Sequence, residues 1–542
     1  MTLNEVRDVA TGSRPWPDPL HQPGSPTTAW TTVNTGENFP GVATPVGWTF
    51  WCDPLELGMR GAFCDLGVLT SDQVHSRNAP DHRCSSAIYG RFVANVDQLR
   101  AMADLIPGTS GAALEEQLLG SAREDAPGQP SLRRAPVVAV KMPAAAVGLR
   151  GRLARDRRDI EVWWRQVTSP GACDGEAARS VLAQASEWFA RTIRPHTIAT
   201  MLATATYDRV KELAHNAGLP QLQNTLISDV DVEEAACAAD LWEVARGGGS
   251  LDVFLSRHGY HGPNEAEVSS RVWREDRSSI EHLLEVYAQL DEDASPAARK
   301  RRTTAERQGA ERSLHAALGP VGRVAAAAAI RAAKRFSPLR EVGKASYLHA
   351  IDGGRAAVRA LGQDLERRHV LENSDDVRFL TVGELLDRPE RVGYEVIEER
   401  RRRFELYQSY ELPDFWIGVP EPGRPAKVVG NTAEVSGIPA SPGSIEGTAK
   451  VLRDTSGDDI EAGDILVCPT TDPSWASFFV AAAALVIDIG GPMSHGAIIA
   501  RELGIPCVIN TGDGTRRIRT GDRLQVDGDN GVVHILATAS TN

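Results

Sequence analysis

Hydrophobic and polar residues follow two different periods along the chain, and the change of period divides it. Between residues 36 and 417, apolar positions recur mostly at helical spacing. This spacing is clearest in residues 176–191, 279–290 and 347–368. After residue 432, short β-branched runs alternate with turns and with two helical segments, 472–483 and 494–503. The pattern predicts a multidomain protein, with a mainly α domain followed by a C-terminal α/β domain.

Two further segments show neither period. Residues 1–35 are rich in Pro, Thr, Gly and Ser, which predicts a flexible N-terminal arm. Residues 418–431, GVPEPGRPAKVVGN, are typical of a linker. The α/β part that follows, residues 432–542, is long enough to fold as a domain of its own.

Net charge, apolar runs and cysteine content limit the partners and the cellular location that we expect for this protein. Lys and Arg total 59 against 72 Asp and Glu, a net charge of −13, which argues against nucleic-acid binding. The N-terminus carries Glu5 and Asp8 where a signal peptide needs basic residues, and apolar runs are shorter than the ~20 residues that span a bilayer. We therefore expect a cytoplasmic protein without a membrane partner. Seven single cysteines without a CxxC pair predict neither a disulfide scaffold nor a metal site.

The candidate chemistry lies in residues 490–510, GGPMSHGAIIARELGIPCVIN. A buried strand runs into Gly490 and Gly491, which permit a tight turn that can hold a phosphate. Ser494 is a good N-cap for the helix that follows, and Gly504 is placed to end that helix.

His495 is thereby predicted in the first turn of a helix, where backbone N–H groups and the helix dipole favour an arriving negative charge. A neutral imidazole there has a nucleophilic nitrogen and can accept a phosphoryl group. The alternative is a histidine that merely caps or packs.

The run GGxxSHxAIxARExGIPxV resembles the phosphohistidine signature of the phosphoenolpyruvate-utilising enzymes, among them phosphoenolpyruvate synthase, pyruvate phosphate dikinase and the rifampicin phosphotransferases. Residues 441–452 and 471–479 resemble other parts of their swivelling domain. Residues 254–276 resemble the family's Gly-His-Arg-Gly-Pro-x-Glu segment, with Tyr260 and His261 in place of the His-Arg pair. The resemblance implies a substrate-binding helical domain and a swivelling domain with His495 as the carrier.

The resemblance also implies what supplies the phosphoryl group. About 35 residues precede the matched parts and about 50 follow His495, too few for an ATP-grasp domain or for a phosphoenolpyruvate-binding barrel. We therefore expect a separate ATP-grasp partner that uses ATP and Mg²⁺, the split arrangement of phenylphosphate synthase. His495 would then deliver the group to a hydroxyl of a small substrate in the helical domain.

Basic residues are candidates for phosphate binding. Arg340, Lys344 and Arg355 match basic positions of the family, and their spacing allows two of them to share a helix face. The alternative is a solvated helix face. Arg501 follows His495 and Ser494 on the same helix, where it would steady the phosphoryl group or form a structural ion pair.

His258, His261 and Glu265 cluster around two glycines. They would supply the base that takes the proton of the acceptor, or they are polar side chains of a turn in water. Two other functions remain open: phosphorylation followed by elimination, which gives net dehydration, and a non-catalytic protein that binds a ligand or partner.

Overall fold

The computed structural model describes residues 18–33, 35–75, 79–107, 109–119, 122–126, 128–228, 233–423, 433–453, 460–471, 475–492 and 494–539. The helices of the N-terminal part are α1 (Thr35–Asn38), α2 (Pro45–Asp65), α3 (Val96–Ala103), α4 (Gly111–Leu119), α5 (Ala135–Val167), α6 (Gly175–Asn216), α7 (Glu233–Ala245), α8 (Leu251–His258), α9 (Ser278–Gln289), α10 (Pro296–Ala317), α11 (Pro320–Arg367), α12 (Val382–Leu386) and α13 (Tyr394–Gln408). The strands are β1 (Ala29–Thr31), β2 (Ser85–Ile88), β3 (Arg91–Asn95) and β4 (Phe415–Ile417), in the order β2-β3-β1-β4.

The long helices α5, α6 and α11 pack side by side and form the frame of the helical domain. Gly343 on α11 allows a close approach to α6, because a Cβ there would lie 2.9 Å from Cβ of His196. Aromatic side chains of α2 and α6, among them Trp51 and Phe189, fill the core against Tyr347 of α11. None of the helices that the structure describes has the length and apolar character needed to cross a bilayer.

The prediction of a flexible arm over residues 1–35 is wrong for residues 18–33, which are folded onto the helical domain. Leu20 and Trp30 are almost fully buried, and β1 pairs antiparallel with both β3 and β4. A strand of three residues is too short to show an alternation of apolar and polar positions. The prediction therefore rested on composition, which is typical of a flexible segment. Residues 1–17 lie outside the described residues, as do residues 424–431 of the predicted linker.

The C-terminal part is the predicted α/β domain. Its strands are β5 (Glu434–Ser436), β6 (Ile438–Ser441), β7 (Ser444–Val451), β8 (Ile465–Cys468), β9 (Ala484–Ile487), β10 (Cys507–Ile509), β11 (Arg523–Asp527) and β12 (Val532–Ala537). They form one sheet in the order β5-β12-β11-β7-β8-β9-β10-β6, in which β7 to β10 are parallel. Its helices are α14 (Ala476–Ala481), α15 (His495–Leu503) and α16 (Gly514–Arg517). The predicted fold class is confirmed.

The two domains share an apolar contact, which we call the interface core. Its aromatic members are Trp242, Phe254, Trp273 and Tyr287 from the helical domain and Trp475, Phe478 and Phe479 from the α/β domain. At its edge, Arg299 Nη2 donates to the carbonyl oxygen of Val480 at 2.8 Å. This contact sets the start of α15 against the helical domain.

Candidate functional site

The helix that carries His495 forms as its local sequence predicts. The Oγ of Ser494 accepts a hydrogen bond from the N–H of Ala497 at 3.4 Å, and Gly504 ends the helix in the left-handed conformation with φ of 63°. The N–H of Ser494 donates to the carbonyl oxygen of Gly491 at 2.8 Å, which closes the turn after Gly490. His495 is therefore the first residue of α15.

His495 lies buried between the two domains, with only 6% of its surface exposed. Burial holds the pKa of its imidazole well below the usual range, and the positive charges of Lys344 and Arg340 lower this pKa further, with a smaller contribution from His261. The ring is thus neutral, with its nucleophilic lone pair. The structure brings four of the predicted site residues, His495, Arg340, Lys344 and His261, into one electrostatic neighbourhood.

Arg340 and Lys344 stand one turn apart on α11, and we call them the cationic pair. The carbonyl oxygen of Arg340 accepts a hydrogen bond from Nδ1 of His196 at 3.1 Å, which anchors this turn of the helix to α6. Nη1 of Arg340 is buried without a hydrogen-bond partner among the described residues and lies 3.6 Å from Oε1 of Glu341. The positive charge of Arg340 is only weakly balanced by Glu341, so this side chain can bind an anionic group such as a phosphoryl group.

Arg355 does not join this pair, and its described contacts are those of a buried structural ion pair. Its side chain is 1% exposed and donates from Nη1 to Oδ1 of Asp352 at 2.7 Å and from Nη2 to the carbonyl oxygen of Glu265 at 2.8 Å. The charge is balanced by a buried carboxylate, so Arg355 positions the segment that carries Glu265.

Arg501 makes its described hydrogen bonds within the α/β domain. Its Nη1 donates to the carbonyl oxygen of Ala440 at 3.2 Å, and its Nη2 donates to that of Pro492 at 2.8 Å. These bonds tie the loop before His495 to strand β6. Arg501 therefore positions the loop, and its described contacts direct the guanidinium to backbone oxygens.

His258, His261 and Glu265 are not side chains of a hydrated turn, because their exposed fractions are only 6%, 3% and 3%. Nδ1 of His261 lies 2.7 Å from Oε2 of Glu265, and Nε2 of His258 lies 2.9 Å from Oδ2 of Asp240. Each histidine thus has one ring nitrogen fixed by a carboxylate.

Two residues near the site escaped the sequence analysis. Cys237 on α7 lies with His258 and His261 so that one ligand atom of each falls within 4.8 Å of the others. We call these three residues the Cys-His cluster; they are donors that could hold a metal ion. Asp488, directly after β9, accepts hydrogen bonds from Oγ1 of Thr511 at 2.7 Å and from the N–H of Thr515, and so fixes the start of the loop. The sequence signal that could have identified Asp488 is an acidic residue at the carboxyl end of a parallel strand, where ligands commonly bind.

Gly262 is required by the close approach of two backbone segments beside His261. A Cβ at this position would lie 2.8 Å from Cα of Val272 and 2.9 Å from the carbonyl oxygen of Arg271. We expect Gly262→Ala to lower the free energy of unfolding by about 1–3 kcal/mol, because rigid backbone must move.

The matched control is Gly309→Ala in α10, where a Cβ would meet nothing within 4 Å. This change should raise the stability by up to about 1 kcal/mol, since alanine favours a helix interior over glycine. Thermal unfolding of both variants measures the difference. Equal midpoints for the two variants would contradict the close approach at Gly262.

Comparisons with known proteins match both sides of the site. A model described as the PEP-utilising enzyme mobile domain matches residues 460–531, which include His495. A model described as the rifampicin phosphotransferase fourth domain matches residues 204–341, which include the Cys-His cluster and Arg340.

Individual relatives agree with these models. The rifampicin phosphotransferase of Streptomyces sviceus is 32% identical over 300 residues, which cover 53% of this chain and 34% of that protein. A second one, from Streptomyces sp, is 31% identical over 318 residues, which cover 56% of this chain and 37% of the relative. An uncharacterised protein of Mycobacterium tuberculosis is 34% identical over 204 residues, or 37% of this chain and 24% of that protein. The matches with the two phosphotransferases thus span about a third of their length.

Proposed function

The chain carries the mobile domain of phosphoenolpyruvate-utilising enzymes and is related to the rifampicin phosphotransferases, and on that premise we propose that it is a phosphotransferase component. It carries a phosphoryl group on His495 and transfers it to a hydroxyl of a small organic substrate bound in the helical domain. The observation that carries this proposal is the neutral, buried imidazole of His495 at the start of α15, held in the field of Arg340 and Lys344.

The reaction has two steps with a covalent intermediate. In the first, a ring nitrogen of His495 attacks the β-phosphoryl group of ATP and displaces AMP, and water then cleaves the terminal phosphate from the diphosphorylated histidine, which leaves free phosphate and the phosphorylated protein. In the second, the hydroxyl oxygen of the acceptor forms a bond to phosphorus while the bond between nitrogen and phosphorus breaks. The electron pair returns to the imidazole, and the proton that the acceptor hydroxyl loses ends on this ring, which leaves His495 neutral.

The arrangement of the domains in this structure suits the second step. Phosphoryl transfer depends on alignment and on neutralisation of spread negative charge, and the cationic pair supplies two positive charges on the helical side. A dianionic phosphoryl group on His495 would be attracted to Arg340 and Lys344, whereas the neutral imidazole left after transfer would not. Charge alone thus favours docking of the α/β domain before transfer and its release afterwards.

The first step requires a different arrangement. His495 is buried against the helical domain, so the α/β domain must leave the interface core before a nucleotide-binding protein can reach the ring. We assign ATP and Mg²⁺ to a separate ATP-grasp partner, consistent with the resemblance to split enzymes. The substrate remains defined by its chemistry as a small molecule with a hydroxyl group.

The test is to find the labelled residue. The full-length protein is incubated with purified candidate ATP-grasp proteins, Mg²⁺ and ATP labelled in the β-phosphoryl group, and is then digested under alkaline conditions. We expect label on the peptide that contains His495, stable in base and lost in acid, as a phosphorus–nitrogen bond requires. Label confined to another residue, or label that survives acid, would contradict the proposal.

A further inference from the structure

The Cys-His cluster is a convergent set of donors inside the protein. Cys237, His258 and His261 are exposed by only 2%, 6% and 3%, and one ligand atom of each lies within 4.8 Å of the others. They come from α7, from the last residue of α8 and from the turn after it. Hydrogen bonds from the N–H of Trp273 to the carbonyl oxygen of His261 and from the N–H of Arg274 to that of Gly259 hold this turn in place.

Each histidine of the cluster has a carboxylate behind it. Asp240 accepts from Nε2 of His258 at 2.9 Å, and Glu265 accepts from Nδ1 of His261 at 2.7 Å. These bonds place the proton of each neutral ring on the nitrogen that faces the carboxylate. The lone pairs then lie on Nδ1 of His258 and on Nε2 of His261, which is how histidines that bind metals are oriented.

One of these atoms lacks another explanation. Nδ1 of His258 is buried and has no hydrogen-bond partner among the residues that the structure describes. A buried nitrogen lone pair without a partner is costly, and a metal ion is one way to satisfy it.

We propose that Cys237, His258 and His261 bind one Zn²⁺ ion, through the sulfur of Cys237, Nδ1 of His258 and Nε2 of His261. One sulfur and two nitrogen donors match the preference of zinc and do not fit Mg²⁺ or Ca²⁺, which require oxygen ligands. The thiol of Cys237 loses its proton to solvent when the ion binds. Three protein ligands leave the fourth position of a tetrahedral ion for water or another ligand.

The sequence expectation that the chain holds no metal site rested on seven single cysteines without a CxxC pair and on the spacing of the histidines. Neither observation shows that the fold brings Cys237 to His258 and His261. The proposal stands on the geometry of the cluster and does not depend on the proposed function. It competes with the interpretation of His261 as the base for the acceptor, because both use Nε2 of His261. A measurement of metal binding therefore distinguishes the metal site from the role of His261 as a base.

The experiment measures metal on the full-length protein after removal of any affinity tag. The metal-free protein is titrated with Zn²⁺ and with Co²⁺, bound metal is determined by mass spectrometry, and Co²⁺ is followed by absorption. We expect one ion per chain, a thiolate-to-cobalt charge-transfer band in the near ultraviolet, and a rise in the thermal midpoint.

Three variants make the result specific. Cys237→Ser should lose the charge-transfer band, whereas Cys173→Ser, a half-buried cysteine outside the cluster, should keep it. Asp240→Asn, in a side chain that is 39% exposed, should bind Zn²⁺ about 10–100-fold more weakly while the protein remains folded. Failure of the wild-type protein to bind either ion stoichiometrically, or a charge-transfer band that persists in Cys237→Ser, would overturn the proposal.

Discussion

Replacement of His495 by glutamine is expected to abolish both labelling by ATP and transfer to an acceptor. Glutamine keeps a polar group of similar length at the start of α15, but its amide has no nucleophilic nitrogen. Removal of a covalent nucleophile lowers rates by roughly 10⁴–10⁶-fold, so product formation should fall to the uncatalysed background. Incorporation of label and formation of product, followed with the same partner and substrate, measure the two steps separately.

A control histidine in the same domain distinguishes loss of the nucleophile from loss of structure. His534 on β12 has a side chain that is 42% exposed, and His534→Gln should label and transfer like the wild-type protein. Both variants should unfold near the wild-type temperature, since neither removes a charge pair from the core. Equal labelling of His495→Gln and wild type would refute His495 as the carrier.

The features that sequence predicts well around His495 are those that local residues determine. Ser494 caps α15, Gly504 ends it, and the buried strand before it is β9, because each signal acts over one or two turns of chain. The same holds for the hairpin of β11 and β12, where Gly531 adopts φ of 73° at the turn.

Contacts between distant segments explain what the sequence could not decide. For Arg355 and Arg501 it indicated a positive charge on a helix, which fits phosphate binding and a structural role equally. Their acceptors include the carbonyl oxygens of Glu265 and Ala440, which lie 90 and 61 residues away. The burial of β1 similarly depends on pairing with β4 at the other end of the helical domain. No local pattern contains such information.

Cys237 illustrates the same limit for chemistry. Its helix, α7, shows no spacing that links it to His258 and His261, and a single cysteine is a weak signal by itself. The packing of α7 against α8 creates the cluster, and Asp240, one turn after Cys237, reaches His258 from the same helix. A carboxylate at i+3 from a cysteine was visible in the sequence, but its target was not.

Loss of the cationic pair is expected to separate the two steps of the reaction. In the double variant Arg340→Ala/Lys344→Ala, the charging of His495 should continue, because the proposed function places that step away from the helical domain. Transfer to the acceptor should slow by about 10²–10³-fold or more, the effect typical of removing one preorganised group that stabilises transition-state charge. A pulse of label on His495, chased with acceptor, measures the rate at which the label leaves.

Two other arginines of α11 provide the comparison. Arg331 is exposed on the same helix, and Arg331→Ala should transfer at the wild-type rate. Arg355→Ala should instead destabilise the fold by about 3–5 kcal/mol, because it leaves the buried carboxylate of Asp352 without one of its partners. Transfer in the double variant at the wild-type rate would show that Arg340 and Lys344 do not act on the phosphoryl group. Failure of the double variant to become charged would place the cationic pair in the first step, against the order of events proposed for the two domains.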